Sequence, residues 1–513
     1  MLRRDESPGE FVPWQLESAV SIVQQRQPSL MYPSAASFRQ SLDVITDLAD
    51  PRQPDLQYVV RDSATEGRVL PLLFLLLFSI PFEWLRVSWI GHRSVLTIPL
   101  MLVVLDIVRS PESGLRRLQK FLQLAPWIHG LYFAYLSSLT CAALWGPDFN
   151  TGIVELARAW SQFGFYVIVG TYLTEQPAAT IARTLLTAIP VAIAGFVAYC
   201  FYVFRAQGDN LISQLAAAAY SGSSNAVANR VLKNVVNFQF TNSSAAEKLE
   251  IAGSVRNGIS AAMLLLLLMS WIYAAAIPRM RRSVWHSLAL GLITLGVPVL
   301  LVILMSRSSL ISLALAAVIC FVMYQVSYRG KSSNSAATAA LLLLLAGGGI
   351  GMFILVLPEE NGIVSLNVQR MNEISKDVRI EHYRGVYQAI LKRPLLGYGL
   401  GAETPDGLAV HNLFLGGWFR AGVAGLLFSV LFYVALLVRW VNGCLWLMTF
   451  SGSARNLPSL ILLPALMVEP LSRAPLIGGQ DGRYIRVEWL AIACFLTIFE
   501  SVRSRQYQVA DDS

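Results

Sequence analysis

Apolar residues in this chain arrive in unbroken blocks, VLPLLFLLLFSIPFEWL, AAMLLLLLMSWIYAAAI and AATAALLLLLAGGGIGMFILVL among them. That arrangement limits the fold more than any other feature. A helix satisfies all its backbone polar groups internally, so a block of this length can cross a bilayer. Helices of a soluble protein carry a polar stripe facing water, and these blocks have none. Composition agrees, with 55% of the 513 residues hydrophobic and only 14% charged. A soluble multidomain protein is excluded by that pattern.

The blocks predict an all-α integral membrane protein of about twelve transmembrane helices. They fall near 69–86, 94–108, 124–146, 153–173, 182–204, 258–277, 284–305, 309–326, 336–357, 411–438, 457–472 and 487–502. The second, eleventh and twelfth are short, which leaves room for a count of ten or eleven. Lys and Arg in short loops are retained in the cytoplasm. Alternation from a cytoplasmic N-terminus puts Arg109, Arg116, Arg117, Lys120, Arg279, Arg281, Arg282, Arg329, Lys331, Arg439, Arg455, Arg503 and Arg505 on that side. Both termini are then cytoplasmic. The chain reads as a polar extension (1–68), helices one to nine (69–357) with an outer loop at 205–257, and a large helical outer loop (358–410) before the tenth helix. Helices ten to twelve (411–502) and a cytoplasmic tail (503–513) complete it.

Several chemistries find no footing. The polar start has no apolar core segment, so no cleavable signal peptide is expected. Cys141, Cys200, Cys320, Cys444 and Cys494 lie in or beside apolar spans at wide spacing, which suits packing residues and not a disulfide framework. There is no HExxH, no glycine-rich loop ending in GK[ST], and no Asp-x-Asp pair in an outer loop, so neither a metal nor a cofactor is expected. The net charge of +8 matches basic inner loops, and no nucleic-acid partner is implied.

Charge on the outer side is the informative departure. Arg307 sits in MSRSSL between two apolar spans, and residues 379–415 read RIEHYRGVYQAILKRPLLGYGLGAETPDGLAVHNLFL. Guanidinium groups match phosphate oxygens in paired, charge-assisted hydrogen bonds, so an outer-face Arg suggests a lipid-linked phosphate ligand. Interface snorkelling of Arg307 and plain solvent exposure of Arg379 are the competing readings. An acceptor hydroxyl that attacks as it loses its proton needs a base titrating near neutrality, which favours His. Of His92, His129, His286, His382 and His411, the last stands at the outer mouth of a span directly after the large loop. A His that merely caps the helix start is its bland alternative, and His382, three residues after Arg379, is its competitor. Glu155 and Arg158 are spaced to pair on one helix face, which would leave Arg158 a secondary phosphate candidate. Glu469 before Pro470 is a weaker orienting candidate, and Glu403 and Asp406 are reserve bases.

Taken together, SRSSL at a span end, the RIEHYRGVYQAILKRPLLGYGLG string and the following HN resemble the bacterial O-antigen ligase and O-antigen polymerase superfamily. The residues that carry the resemblance are Arg307, Arg379 with Tyr383, Pro394 with Gly397 and Gly399, and His411 with Asn412. The resemblance implies a multispan glycosyltransferase of the bacterial inner membrane, using a polyprenyl diphosphate-linked glycan as donor and a glycan or glycolipid as acceptor, with membrane lipid around it. It implies diphosphate binding by Arg307 and Arg379, a base at His411, and a single inverting displacement without metal. Arg384, His382, Arg158 and Asn412 are second-rank site residues. Polymerisation of surface or exopolysaccharide repeat units is favoured, with ligation to lipid A core as the alternative. Arg420 departs from the family pattern, which often has an acidic or amide residue there. A transporter or flippase is the rival of another class, but no internal repeat supports it.

Overall fold

The computed structural model describes residues 69–82, 86–87, 93–94, 96–176, 178–208, 259–268, 284–303, 312–319, 378–405, 412–450, 463–468, 470–471 and 486–511, with single positions 210, 213, 270, 309, 407 and 410. The chain divides into two compact units, one of residues 1–55 with 505–513 and one of residues 56–504. The second carries the features that follow. Its helices are α1 (Pro71–Ser79), α2 (Thr97–Arg109), α3 (Pro111–Leu124), α4 (Pro126–Ala142) and α5 (Phe149–Leu173). Then come α6 (Ala178–Ala206), α7 (Val284–Ile303), α8 (Val378–Lys392), α9 (Leu413–Phe450) and α10 (Arg486–Asp511), whose residues from 505 on are assigned to the first unit. The one β ladder among the described residues pairs Arg86–Val87 with Arg93–Ser94, antiparallel.

The architecture is helical, as the apolar blocks predict, but the spans are less uniform. Among the described residues Arg183–Ala206 and Leu413–Trp446 are long and apolar enough to cross a membrane. The expected first span is a nine-residue helix followed by the 3-10 turn Ile80–Phe82, and the expected second is the 13-residue α2. At 1.5 Å per residue neither reaches the roughly 30 Å of a hydrocarbon core. The expected ninth span, 336–357, lies outside the described residues. The basic run Arg116, Arg117 and Lys120 lies within the helix α3, whose Phe121 is fully buried.

An aromatic cluster holds the bundle together. Tyr132 of α4 lies 4.8 Å from Phe432 of α9 and 4.7 Å from Trp489 of α10, and Tyr166 of α5 lies 4.9 Å from Trp489. Such pairs contribute about 0.5–1.5 kcal/mol each beyond burial. The opposite side of α9 is exposed apolar surface: Val423, Leu427, Val430, Val434, Val438, Val441 and Leu445 recur every three or four residues. That stripe runs roughly 33 Å at 1.5 Å per residue, close to a hydrocarbon core. In water it would be an aggregation-prone patch, whereas lipid tails solvate it at no cost.

The tenth span is not one straight rod. Gly422 has φ 63° and ψ −151°, which no helix contains. The chain reverses there, because Phe414 packs edge-on against Tyr433 at 5.5 Å and a Cβ on Gly417 would lie 2.9 Å from the carbonyl oxygen of Gly425. In a continuous helix residues 417 and 425 stand about 12 Å apart. Residues 413–421 therefore form a short arm folded against the long limb 423–450, and the two glycines allow the backbones to close.

Candidate functional site

Helix α8 opens the site. Its inner face presents His382, Val386, Ala389 and Ile390 at helical spacing, and all four are buried. Val386, Ala389 and Ile390 pack with Val410 and Phe419 in a small core of their own. Arg379 lies in the first turn, three positions before His382, and is described by its backbone position alone. His382 thus turns inward beside Tyr383, ring centroids 5.7 Å apart, while Arg384 is exposed. Arg307 and His411 lie outside the described residues.

The segment after α8 explains the proline and glycines of the motif. Gly397 and Gly399 have φ of 71° and 84°, the left-handed region that side chains other than glycine's resist. There is no room for a side chain either. A Cβ on Gly397 would fall 2.6 Å from the amide nitrogen of Gly422, and one on Gly399 would fall 2.4 Å from the Cα of Gly146. This loop is wedged between the break in α9 and the connection from α4 to α5.

It also repairs the break. An unbroken α9 would pair the Val423 amide with the Phe419 carbonyl, and Gly422 prevents that. Instead Val423 N–H donates to the Leu395 carbonyl at 3.1 Å, and the Phe419 carbonyl accepts from Tyr398 N–H at 2.7 Å. The Arg420 carbonyl accepts from Gly399 N–H at 2.9 Å. Buried backbone groups left unpaired cost roughly 1–3 kcal/mol each, so loop and break require each other. Two indoles clamp the arrangement: Trp418 Nε1 donates to the Pro394 carbonyl at 3.0 Å and Trp145 Nε1 to the Leu396 carbonyl at 3.2 Å. Tyr398 stacks on Phe419 at 4.9 Å, and its hydroxyl donates to the Ala389 carbonyl at 3.0 Å.

One ion pair ties this unit to α5. Arg420 Nε lies 3.2 Å from Glu155 Oε2, and the same oxygen accepts from Gly401 N–H at 3.5 Å. The expected partner of Glu155, Arg158, is instead exposed on α5. The pairing has a physical reason: Arg420, with 6% of its side chain exposed, has a larger need for a counter-charge than a solvated Arg158. The atypical residue at position 420 therefore has a neutralising partner within the fold.

Two side chains fix the helix starts near the loop. Asn412 Oδ1 accepts from the amides of Phe414 at 2.9 Å and Leu415 at 3.0 Å, so the cap of α9 belongs to Asn412, the residue after His411. Asp148 caps α5 through the amides of Asn150 and Thr151, and the Thr151 hydroxyl donates to it at 2.5 Å. The Thr151 hydroxyl, followed by the two amides, holds the Asp148 carboxyl below its ordinary value. Away from the site, His129 is accounted for by the fold, with Nδ1 against the Leu122 carbonyl and Nε2 against the Tyr166 hydroxyl.

Spacing along the sequence did not reveal the Glu155–Arg420 pair, the reversal at Gly422 or the two indole clamps. The RAGVAG string in an apolar run was the available signal for the reversal. Residues 290–430 match the family model described as O-antigen ligase. No curated protein matches the chain.

Proposed function

We propose that this chain, whose residues 290–430 match the family model described as O-antigen ligase, transfers a glycan from a polyprenyl diphosphate carrier to a sugar hydroxyl at the outer face of the bacterial inner membrane. Polymerisation of surface polysaccharide repeat units is the favoured reaction, and ligation to lipid A core is the alternative. What supports the reading is the connected unit of α8, the glycine loop and the short arm of α9. It joins the helix that carries Arg379 to the helix that begins just after His411.

In this account Arg307 and Arg379 hold the diphosphate, and His411 takes the proton of the acceptor hydroxyl. The acceptor oxygen forms its bond to the anomeric carbon from the face opposite the leaving group. The carbon–oxygen bond to the diphosphate breaks, its electron pair stays on the phosphate, and the configuration inverts. Two guanidinium groups neutralise the growing phosphate charge, so no metal is required. The direct test supplies purified carrier-linked glycan to proteoliposomes, with either a second repeat unit or lipid A core as acceptor. Elongated carrier-linked glycan identifies a polymerase, a glycan on lipid A core identifies a ligase, and no product with either acceptor contradicts the proposal.

A further inference from the structure

We propose that residues 391–396, LKRPLL, form a wedge that docks into the phosphate-headgroup zone of the bilayer beside α9. The inference goes beyond the transfer reaction. All six residues are exposed, an arrangement that a loop otherwise pinned by hydrogen bonds does not require. Leu395 and Leu396 are 70% and 66% exposed, at the tip of a turn whose backbone is held by Val423, Trp145 and Trp418. Water is the wrong solvent for two fixed, adjacent, exposed leucines.

Three observations choose the bilayer as the occupant. First, the wedge is continuous with the lipid-facing stripe of α9, since the Leu395 carbonyl accepts directly from the amide of Val423, where that stripe begins. Second, Lys392 and Arg393 stand just before the leucines, with the Arg393 guanidinium 5.4 Å above the Tyr398 ring, so cations flank apolar tips as lipid phosphates flank acyl chains. Third, Trp145 and Trp418 flank the turn with their indole N–H groups satisfied by its carbonyls, the amphipathic placement that aromatic side chains adopt at a membrane interface. Docking fixes the depth of the glycine loop relative to the lipid headgroups. Any lipid-linked substrate would then meet the loop at a set height.

The test needs no enzymatic activity. Full-length protein carrying p-benzoylphenylalanine in place of Leu396, or in place of exposed Gln388 on α8 as a comparison, is reconstituted in phosphatidylglycerol and phosphatidylethanolamine vesicles free of carrier and acceptor. After irradiation, the lipid adducts are measured by mass spectrometry. The expected result is a several-fold higher yield of phospholipid adduct at position 396 than at 388, reduced by the added substitutions Lys392→Gln and Arg393→Gln. Equal yields at the two positions, a yield unchanged by removing both cations, or adducts at 396 formed mainly to protein would overturn the wedge, whatever the outcome for glycosyl transfer.

Discussion

Arg420 Nε rests 3.2 Å from Glu155 Oε2, and through that contact α5 grips both the glycine loop and the short arm of α9. The Arg420 guanidinium is nearly inaccessible while Glu155 keeps 22% of its side chain exposed, so the pair lies between the surface and buried regimes. Removing one partner should cost about 1–3 kcal/mol, between the values typical of exposed and buried pairs. Glu155→Gln and Arg420→Gln should each lower the unfolding midpoint in detergent. Glu155→Arg combined with Arg420→Glu should recover part of the loss, whereas strictly additive effects would show that the contact carries no coupling.

The glycines of the loop and the break give a second expectation. Gly397→Ala and Gly422→Ala should each destabilise by about 1–3 kcal/mol, because both add a Cβ to a left-handed residue pressed against backbone. Gly385→Ala meets open space in the middle of α8 and should be neutral or stabilising by up to about 1 kcal/mol. Thermal unfolding of the three variants checks this. A harmless Gly422→Ala would mean that α9 can run straight.

Asn412→Ala removes the cap of α9 and should cost about 0.5–2 kcal/mol, while Asn412→Asp should keep most of it. If transfer activity falls in the alanine variant and returns with Asp, the role of Asn412 is to orient the helix start. Equal stability of wild type and Asn412→Ala would dismiss the cap.

Acid should weaken the junction of α3 and α5. Glu175 accepts from Lys120 and lies 3.6 Å from Arg116, and the Lys120 hydrogen bond leads the causes that hold its carboxyl below the usual 4.5. A depressed folded value means that the contribution is present above the unfolded value near 4.5 and is lost as pH falls through the folded one. The pair is partly exposed, so the effect is about 0.2–1 kcal/mol. Unfolding midpoints of wild type and Glu175→Gln should converge as pH drops from 7 to 3. A difference that persists unchanged at pH 3 would rule the ion pair out as its source.

Much of this arrangement is legible in the sequence because it is local. Helix α8 and the proline that follows it each announce themselves within a few residues. What the sequence hides is non-local. Glu155 takes Arg420 and not Arg158 because the fold buries one arginine and solvates the other, a distinction that spacing along α5 does not carry. Gly422 reads as a tolerated glycine in a span, since only the opposing carbonyl of Leu395 and amide of Tyr398 make a reversal there affordable. The span count is blurred for a similar reason: short apolar blocks such as 94–108 have the right composition but form a helix of only 13 residues.

The central claim is that His411 is the base and that Arg307 and Arg379 hold the donor phosphate. The decisive measurement is transfer rate beside donor binding in His411→Ala, with His382→Ala, Arg307→Ala and Arg379→Ala assayed in parallel in the same membranes. The account predicts that His411→Ala loses about a hundredfold or more in rate while still binding carrier-linked glycan. It predicts that either arginine variant loses donor binding as well, and that His382→Ala retains most of the activity. Wild-type transfer by His411→Ala would contradict it.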